Sequence, residues 1–235
     1  MAFKVVPARQ NEGENRETGM DKIIEEFEMQ RICSRPPRDG DTYLRTNWRS
    51  RYVPGSEDLF VSPLAYFILE NPIKNQSWVI IVTPKFNCDL EQFKTMGLDN
   101  HTVKTILHQL EKAVKYMEDV RNVNHRDLKP RNILINYENE NGKIKMKEIK
   151  ITDFGLTQLY RRITKLGGTP VFSSPFSFDT NDNLASDFYS LLRIAEWICL
   201  ETSDWIQLAH FPIIDDESDP NEPGRTRRII KEALA

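Results

Sequence analysis

Cysteine is scarce: Cys33, Cys88 and Cys199 are the only three in 235 residues. They form no C-x-x-C pair and no Cys/His group at metal-ligand spacing. That argues against a disulfide framework or a zinc site and for reduced thiols in an intracellular chain. Long apolar runs are missing as well. No stretch approaches the roughly 20 residues of a helical membrane span. The opening residues turn charged after six, unlike a secretory signal. Neither sign of charge is in excess, with 32 Lys+Arg against 35 Asp+Glu and a net charge of −3. A binder held to nucleic acid or to a membrane surface by electrostatics is therefore not expected. There is no internal repeat. The expectation is a soluble cytoplasmic or nuclear protein.

What is present can build a core. The apolar content of 39% includes 12 Phe, 7 Tyr and 4 Trp, unlike the composition of a disordered chain. The length suits one domain of two lobes or two small domains. Residues 2–6 read as a short strand closed by Pro7. A polar loop with Gly13 and Gly19 leads to a helix near 21–32, where Ile23, Ile24, Phe27 and Ile32 fall at helical spacing. Residues 34–58, rich in Arg, Pro, Gly and Asp, read as a long, mobile loop. Two strands follow at 64–69 and 78–83, the second nearly continuous Val/Ile and so expected to be buried. A linker at 84–87 precedes the most secure element, a helix capped by Asp99 or Asn100. Its Val103, Ile106, Leu107, Leu110, Val114 and Met117 keep a 3.6-residue period. Strands at 132–136 and 147–152 flank a turn at 139–142 and form an extended hairpin. Residues 187–200 read as helix, 215–223 as an acidic loop and 225–234 as a short last helix.

The chemistry concentrates in two segments. His125-Arg126-Asp127-Leu128-Lys129-Pro130-Arg131-Asn132 is followed, 21 residues after Asn132, by Asp153-Phe154-Gly155. Each tripeptide alone is weak; both, in order, on a strand–loop–strand frame, are specific. The chain resembles a protein kinase, and Lys129 resembles the serine/threonine branch. Further landmarks extend the resemblance from Ala2 to about Leu200. Ala2-Phe3-Lys4 resembles the family's V-A-I-K strand, and the helix carrying Glu25, Glu26 and Glu28 resembles its C-helix. Gly168-Thr169-Pro170 through Ser174-Pro175 resembles the end of an activation segment. Asp187-Phe188-Tyr189-Ser190 resembles the start of the central helix of the second lobe.

The resemblance implies the α+β, two-lobed kinase fold, with a trimmed N-lobe (1–83), a hinge (84–86) and a mainly helical, truncated C-lobe (87–235). It implies ATP and Mg²⁺ as cofactors and a protein hydroxyl as acceptor. Asp127 would orient and deprotonate that hydroxyl, and Lys129 would place a cation near the transferred phosphoryl group. Asn132 and Asp153 would supply oxygen ligands to Mg²⁺. Lys4 would hold the α/β-phosphates while paired to a helix glutamate. Spacing favours Glu26, with Glu25 and Glu28 as alternatives. Adenine would lie between Ala2 and Leu134, hydrogen-bonded to the 84–86 backbone at Pro84 and Phe86, with Thr83 at the back. His125 and Phe154 are expected to pack in the core. Asp187 is expected to accept backbone N–H bonds, and His101, His108 and His210 to lie at the surface. Arg225, Arg227 and Arg228 read as a solvated face. Arg126 could pair with a phosphate on Thr157, Tyr160 or Thr164, of which Thr164 is best placed.

The sequence departs from the family pattern in four places. The two strands and glycine-rich loop that normally lie before the V-A-I-K strand have no counterpart. Their loss would weaken nucleotide affinity and leave 2–6 as a sheet edge. Phe176 stands where the family has the glutamate of its APE motif, and Leu192 where it has glycine. The final helices of the second lobe have no counterpart either. Two functions follow: a serine/threonine kinase domain, or an impaired pseudokinase that docks on another kinase or its substrate through the exposed sheet edge.

Overall fold

The computed structural model describes residues 1–7, 16–71, 73, 76–159, 167–174 and 187–199. The expectations for Gly13, Pro72, Tyr160, Thr164, Phe176, His210 and the segments 215–223 and 225–234 fall outside them.

The chain opens with β1 (Ala2–Pro7), followed by α1 (Arg16–Cys33), which begins five residues earlier than the sequence suggests and takes in Gly19. β2 (Ala65–Asn71) and β3 (Gln76–Thr83) complete an antiparallel sheet in the order β1-β3-β2, so both β1 and β2 lie at its edges. The pleat alternates side chains between faces. On one face of β3, Val79 and Ile81 meet Ile23 and Phe27 of α1, with Val6 packed against them. Pairing of Lys4 with Ile81 and of Ala2 with Thr83 turns both β1 side chains to that same face, toward α1.

The larger core lies below. β4 (Cys88–Asp89) leads into the short α2 (Leu90–Lys94) and then α3 (Asn100–Tyr116). The cap of α3 is Asp99, whose carboxylate accepts the Thr102 N–H at 2.6 Å. Ile106, Leu107, Leu110, Ala113 and Val114 of α3 are buried against Leu191, Ile194 and Trp197 of α4 (Asp187–Cys199). A π turn, Met117–Arg121, carries the chain to β5 (Val123–Asn124), which pairs with β8 (Gln158–Leu159).

The hairpin of β6 (Ile133–Glu140) and β7 (Lys143–Ile151) is longer than the two short strands expected. Its turn shrinks to Asn141-Gly142, both at positive φ, 55° and 83°. That is the backbone of a two-residue type I′ turn. The extra length comes from polar side chains paired across the strands. Asn136 donates to Glu148 at 2.6 Å, and Lys147, the extra residue in a bulge, meets Glu138 at 2.7 Å.

Residues 34–58 correct the sequence reading. They form a packed layer with two 3₁₀ turns, Trp48–Ser50 and Glu57–Leu59, and their Tyr43, Leu44, Trp48 and Tyr52 rest on the lower core. The anchor is Arg121, with no exposed surface at all. Its guanidinium donates to the Tyr116 hydroxyl at 2.8 Å, the Asp41 carboxylate at 2.8 Å and the Arg35 carbonyl at 2.6 Å. Arg35 closes the network by donating to Asp41 at 2.5 Å. Burial works against the charge on Asp41, yet hydrogen bonds from Arg35, the Arg38 N–H and Arg121 hold its pKa down to about 2. Beyond this layer Phe60 bridges Ile151, and the Val61 N–H reaches the Ile151 carbonyl at 2.9 Å. Among the described residues no helix is long and apolar enough to cross a membrane.

Candidate active site

Three elements bring charged side chains to one place. The β1–β3 register directs Lys4 toward α1, the loop between β5 and β6 carries Asp127, and the end of β7 delivers Asp153. Lys4 Nζ donates to Glu26 at 2.5 Å and to Asp153 at 2.7 Å. Of the three helix glutamates, it is Glu26 that faces the strand; it is buried, whereas Glu28 pairs with Arg31 at 2.6 Å. Burial disfavours a charge on Lys4, but the two carboxylates outweigh it and raise its pKa. The same cation overcomes the burial of Asp153 and lowers the pKa of that carboxyl.

A second group centres on Asp127. Lys129 donates to its Oδ2 at 2.6 Å, and Asn132 Nδ2 donates to its carbonyl at 2.8 Å. The Thr169 hydroxyl donates to Oδ1 at 2.7 Å while accepting from Lys129 at 3.0 Å. Both carboxylate oxygens are therefore oriented. Thr169 lies in the Gly168-Thr169-Pro170 landmark, but motif reading gives it no role in the site. Its only sequence signal is its place between Gly168 and Pro170, because a lone threonine beside a proline is otherwise common in loops.

The backbone beneath these side chains is unusual. Arg126 and Asp153 both sit at φ 69°, a region that side chains other than Asn and Asp rarely enter. Asp187, buried at the start of α4, holds the first of them in place. Its carboxylate accepts the N–H of His125 at 2.6 Å and of Arg126 at 2.8 Å. Burial raises the pKa of Asp187 against the pull of these partners. His125 is fully buried with its ring edge-on to Phe154, centroids 5.0 Å apart. Its Nε2 lies 3.0 Å from the Thr152 carbonyl and so carries the proton, while Nδ1 accepts the Asp127 N–H at 3.3 Å. His101 and His108 are exposed.

Arg126 is buried, which lowers its pKa. Its Nη1 donates to Gln158 at 2.7 Å, whereas Nε and Nη2 have no partner among the described residues. Thr157 is buried too, and its hydroxyl is likewise unmatched there.

The residues assigned to adenine lie on β1, at the end of β3, in the crossing after it and on β6. Ala2 is opposite Thr83 at the end of β3, and the chain then crosses through half-buried Pro84, exposed Lys85 and half-buried Phe86. Asn87 ties that crossing to β6: its N–H reaches the Ile135 carbonyl and Asn136 Oδ1, and its own Oδ1 accepts the Tyr137 N–H at 2.9 Å. Leu134, half-buried on β6, pairs with Asp89 and Lys150.

Comparison with known proteins identifies the family. A family model of the protein kinase domain matches residues 66–196, more than half of the chain. The match contains Asp127, Lys129, Asn132, Asp153, Thr169 and Asp187, and starts after Lys4 and Glu26. Similar curated proteins include mitogen-activated protein kinase HOG1 of Ustilaginoidea virens, 29% identical over 159 residues, which covers 67% of this chain and 39% of that protein. Mitogen-activated protein kinase hog1 of Trichoderma harzianum and hog-1 of Neurospora crassa are each 29% identical over 159 residues, covering 67% of this chain and 38% of theirs. The chain thus spans about two-fifths of the length of these relatives. With the domain match covering more than half of the chain, every residue around Asp127 included, the chain belongs to the protein kinase family and has its α+β fold.

Proposed function

We propose that this chain is the catalytic part of an ATP-dependent serine/threonine protein kinase. The observation that carries the reading is the double contact of Lys4 with Glu26 and Asp153, beside an Asp127 oriented on both oxygens. Nucleotide would lie between residues 1–83 and 87–235, against the 84–86 crossing, with Ala2 and Leu134 on either side of the base and Thr83 behind it.

The donor set fits Mg²⁺. Asp153 meets Lys4 through Oδ1, which leaves Oδ2 outside that pair, and Asn132 bonds to Asp127 through its amide nitrogen, which leaves its carbonyl oxygen outside those bonds. Both are hard oxygen ligands of the kind that Mg²⁺ selects. Bound Mg²⁺ supplies charge neutralisation on the phosphates. The chain's own residues do the rest. Lys4 holds the α/β-phosphates, and Glu26 keeps its ammonium charged and in place. Asp127 orients the acceptor hydroxyl and takes its proton. Lys129, already bonded to Asp127, places positive charge at the oxygens where negative charge develops. Thr169 is a positioning residue that fixes the Asp127 carboxylate. The unmatched Nε and Nη2 of Arg126 favour a phosphate on the segment after Gly155 as their partner. Phosphate-free, fully active protein by mass spectrometry would exclude that partner.

The test is calorimetry of ATP with Mg²⁺ on the 235-residue chain, beside a phosphotransfer assay. Binding that depends on the metal and vanishes in Asp153→Ala is the expected result. Asp127→Asn should keep binding and lose transfer. An Asp127→Asn protein as active as wild type would sink the mechanism.

A second reading has its own observation. Phe3 and Val5 stand exposed on the edge strand β1, which favours an impaired kinase that docks through this edge on another kinase or its substrate. A folded chain that binds no nucleotide at millimolar concentration would select it.

A further inference from the structure

The opposite edge of the upper sheet has a different character. β2 reads Ala-Tyr-Phe-Ile-Leu-Glu-Asn, with no lysine, no proline and no bulge along its length. Edge strands of stable proteins are normally blunted by such devices. Its large side chains are exposed on both faces of the sheet. Phe67 and Leu69 are 59% and 55% exposed on the face away from α1, and Tyr66 and Ile68 are 37% and 43% exposed on the face toward it. Leu64 and Ile73, just beyond the two ends, are 56% and 94% exposed. At roughly 200 Å² per large side chain, these six present on the order of 600 Å² of apolar surface. The total, shared between the two faces that meet at this edge, is comparable with the largest patch on a typical monomer, about 300–600 Å². It also approaches the roughly 800 Å² that each partner buries in a standard interface.

The strand is self-complementary. Two copies related by a two-fold axis through Ile68, perpendicular to the sheet, pair antiparallel over all seven residues. Opposite residues in an antiparallel pair share a face, and this register keeps the faces matched: Ile68 meets Ile68, Phe67 meets Leu69, Tyr66 meets Glu70 and Ala65 meets Asn71. Glu70 never faces another Glu70, so no like charges stand opposed. The axis closes the assembly at two, leaving a six-stranded sheet in the order β1-β3-β2-β2-β3-β1. Lys4 and Glu26 are on the β1 side, away from the axis.

We infer that this chain forms a two-fold homodimer through the β2 edge, with a second copy of itself as the occupant. The test is sedimentation velocity on the full chain between about 1 and 100 μM, with three variants. Wild type should shift from monomer to dimer across this range. Ile68→Lys and Ile68→Asp, each replacing a half-exposed side chain, should sediment as monomers, with association weakened roughly tenfold or more. Mixing the two should restore a dimer, because ammonium and carboxylate then face each other at the axis. Val5→Lys, on β1, should leave the dimer intact. Hydrogen exchange on wild type reads the same contact without substitution: the amides of 65–71 should slow as concentration rises. A wild type monomeric at 100 μM, an unaffected Ile68→Lys dimer, open-ended oligomers, or dissociation by Val5→Lys would each overturn the inference.

Discussion

Thr169 accepts one hydrogen bond from Lys129 and gives one to Asp127, so its removal should loosen both without touching the nucleotide side of the site. Thr169→Ala is expected to lower kcat roughly tenfold with nucleotide KM unchanged, and Thr169→Ser to restore it; steady-state kinetics on a peptide acceptor checks both. Asp41 makes a prediction about pH. Its carboxyl titrates near 2 in the fold against an ordinary 3.8. The stability this gives, roughly 2 kcal/mol, is complete above pH 4 and drains away as pH falls toward 2. Urea titrations at pH 6, 4 and 3 should show the loss in wild type and a flatter profile in Asp41→Asn. These two residues mark what sequence can carry. Asp127, Lys129, Asn132 and Asp153 stand out because phosphoryl transfer needs those groups at fixed spacing on short loops. Asp41 and Thr169 do not announce their roles, since Arg121 stands 80 positions from Asp41, and Lys129 and Asp127 stand 40 and 42 positions from Thr169.

At the level of elements, Gly168 is the point on which the segment 167–174 depends. Its φ of 129° suits glycine alone, and a Cβ there would stand 2.2 Å from Ser173 Oγ and 2.9 Å from the Arg126 carbonyl. Gly168→Ala should therefore cost roughly 1–3 kcal/mol and displace the neighbouring Thr169, seen as a lower urea midpoint together with reduced transfer. Periodicity made α3 legible, because Ile106, Leu107, Leu110, Ala113 and Val114 recur on its buried face. It failed for residues 34–58: Leu44, Trp48 and Tyr52 do stand four apart, yet the only helical turn among them is Trp48–Ser50, and the layer is held through Arg121 bonded to Asp41 and Arg35. For the β6–β7 hairpin the sequence marks the extended hairpin and its tip but ends the strands short, at 136 and 147. Alternating Glu and Lys there look like solvent-exposed loop until the strands are laid side by side.

For the whole molecule, Arg121 is the member whose loss should be felt most widely. Arg121→Ala would remove the buried donor of the Tyr116 hydroxyl and the Arg35 carbonyl, take one of three donors from Asp41 and leave a cavity, an effect on the order of 3–5 kcal/mol. Chemical denaturation should register it, together with faster proteolysis within 34–58. The two hydrophobic clusters are coupled differently, through one helix. Ile23 and Phe27 of α1 pack under the upper sheet, while Met29 and Cys33 are sunk in the lower core, with Glu26 between them on Lys4. A rod seated at both ends cannot swing outward without unseating one of them. Cys33 makes that event visible. Burial in the lower core pushes its thiol pKa up to about 12, whereas Cys199 is exposed. An alkylating reagent should consume Cys199 at once and wait for Cys33. The delay is a clock, built into the chain, for how often the helix leaves its seat.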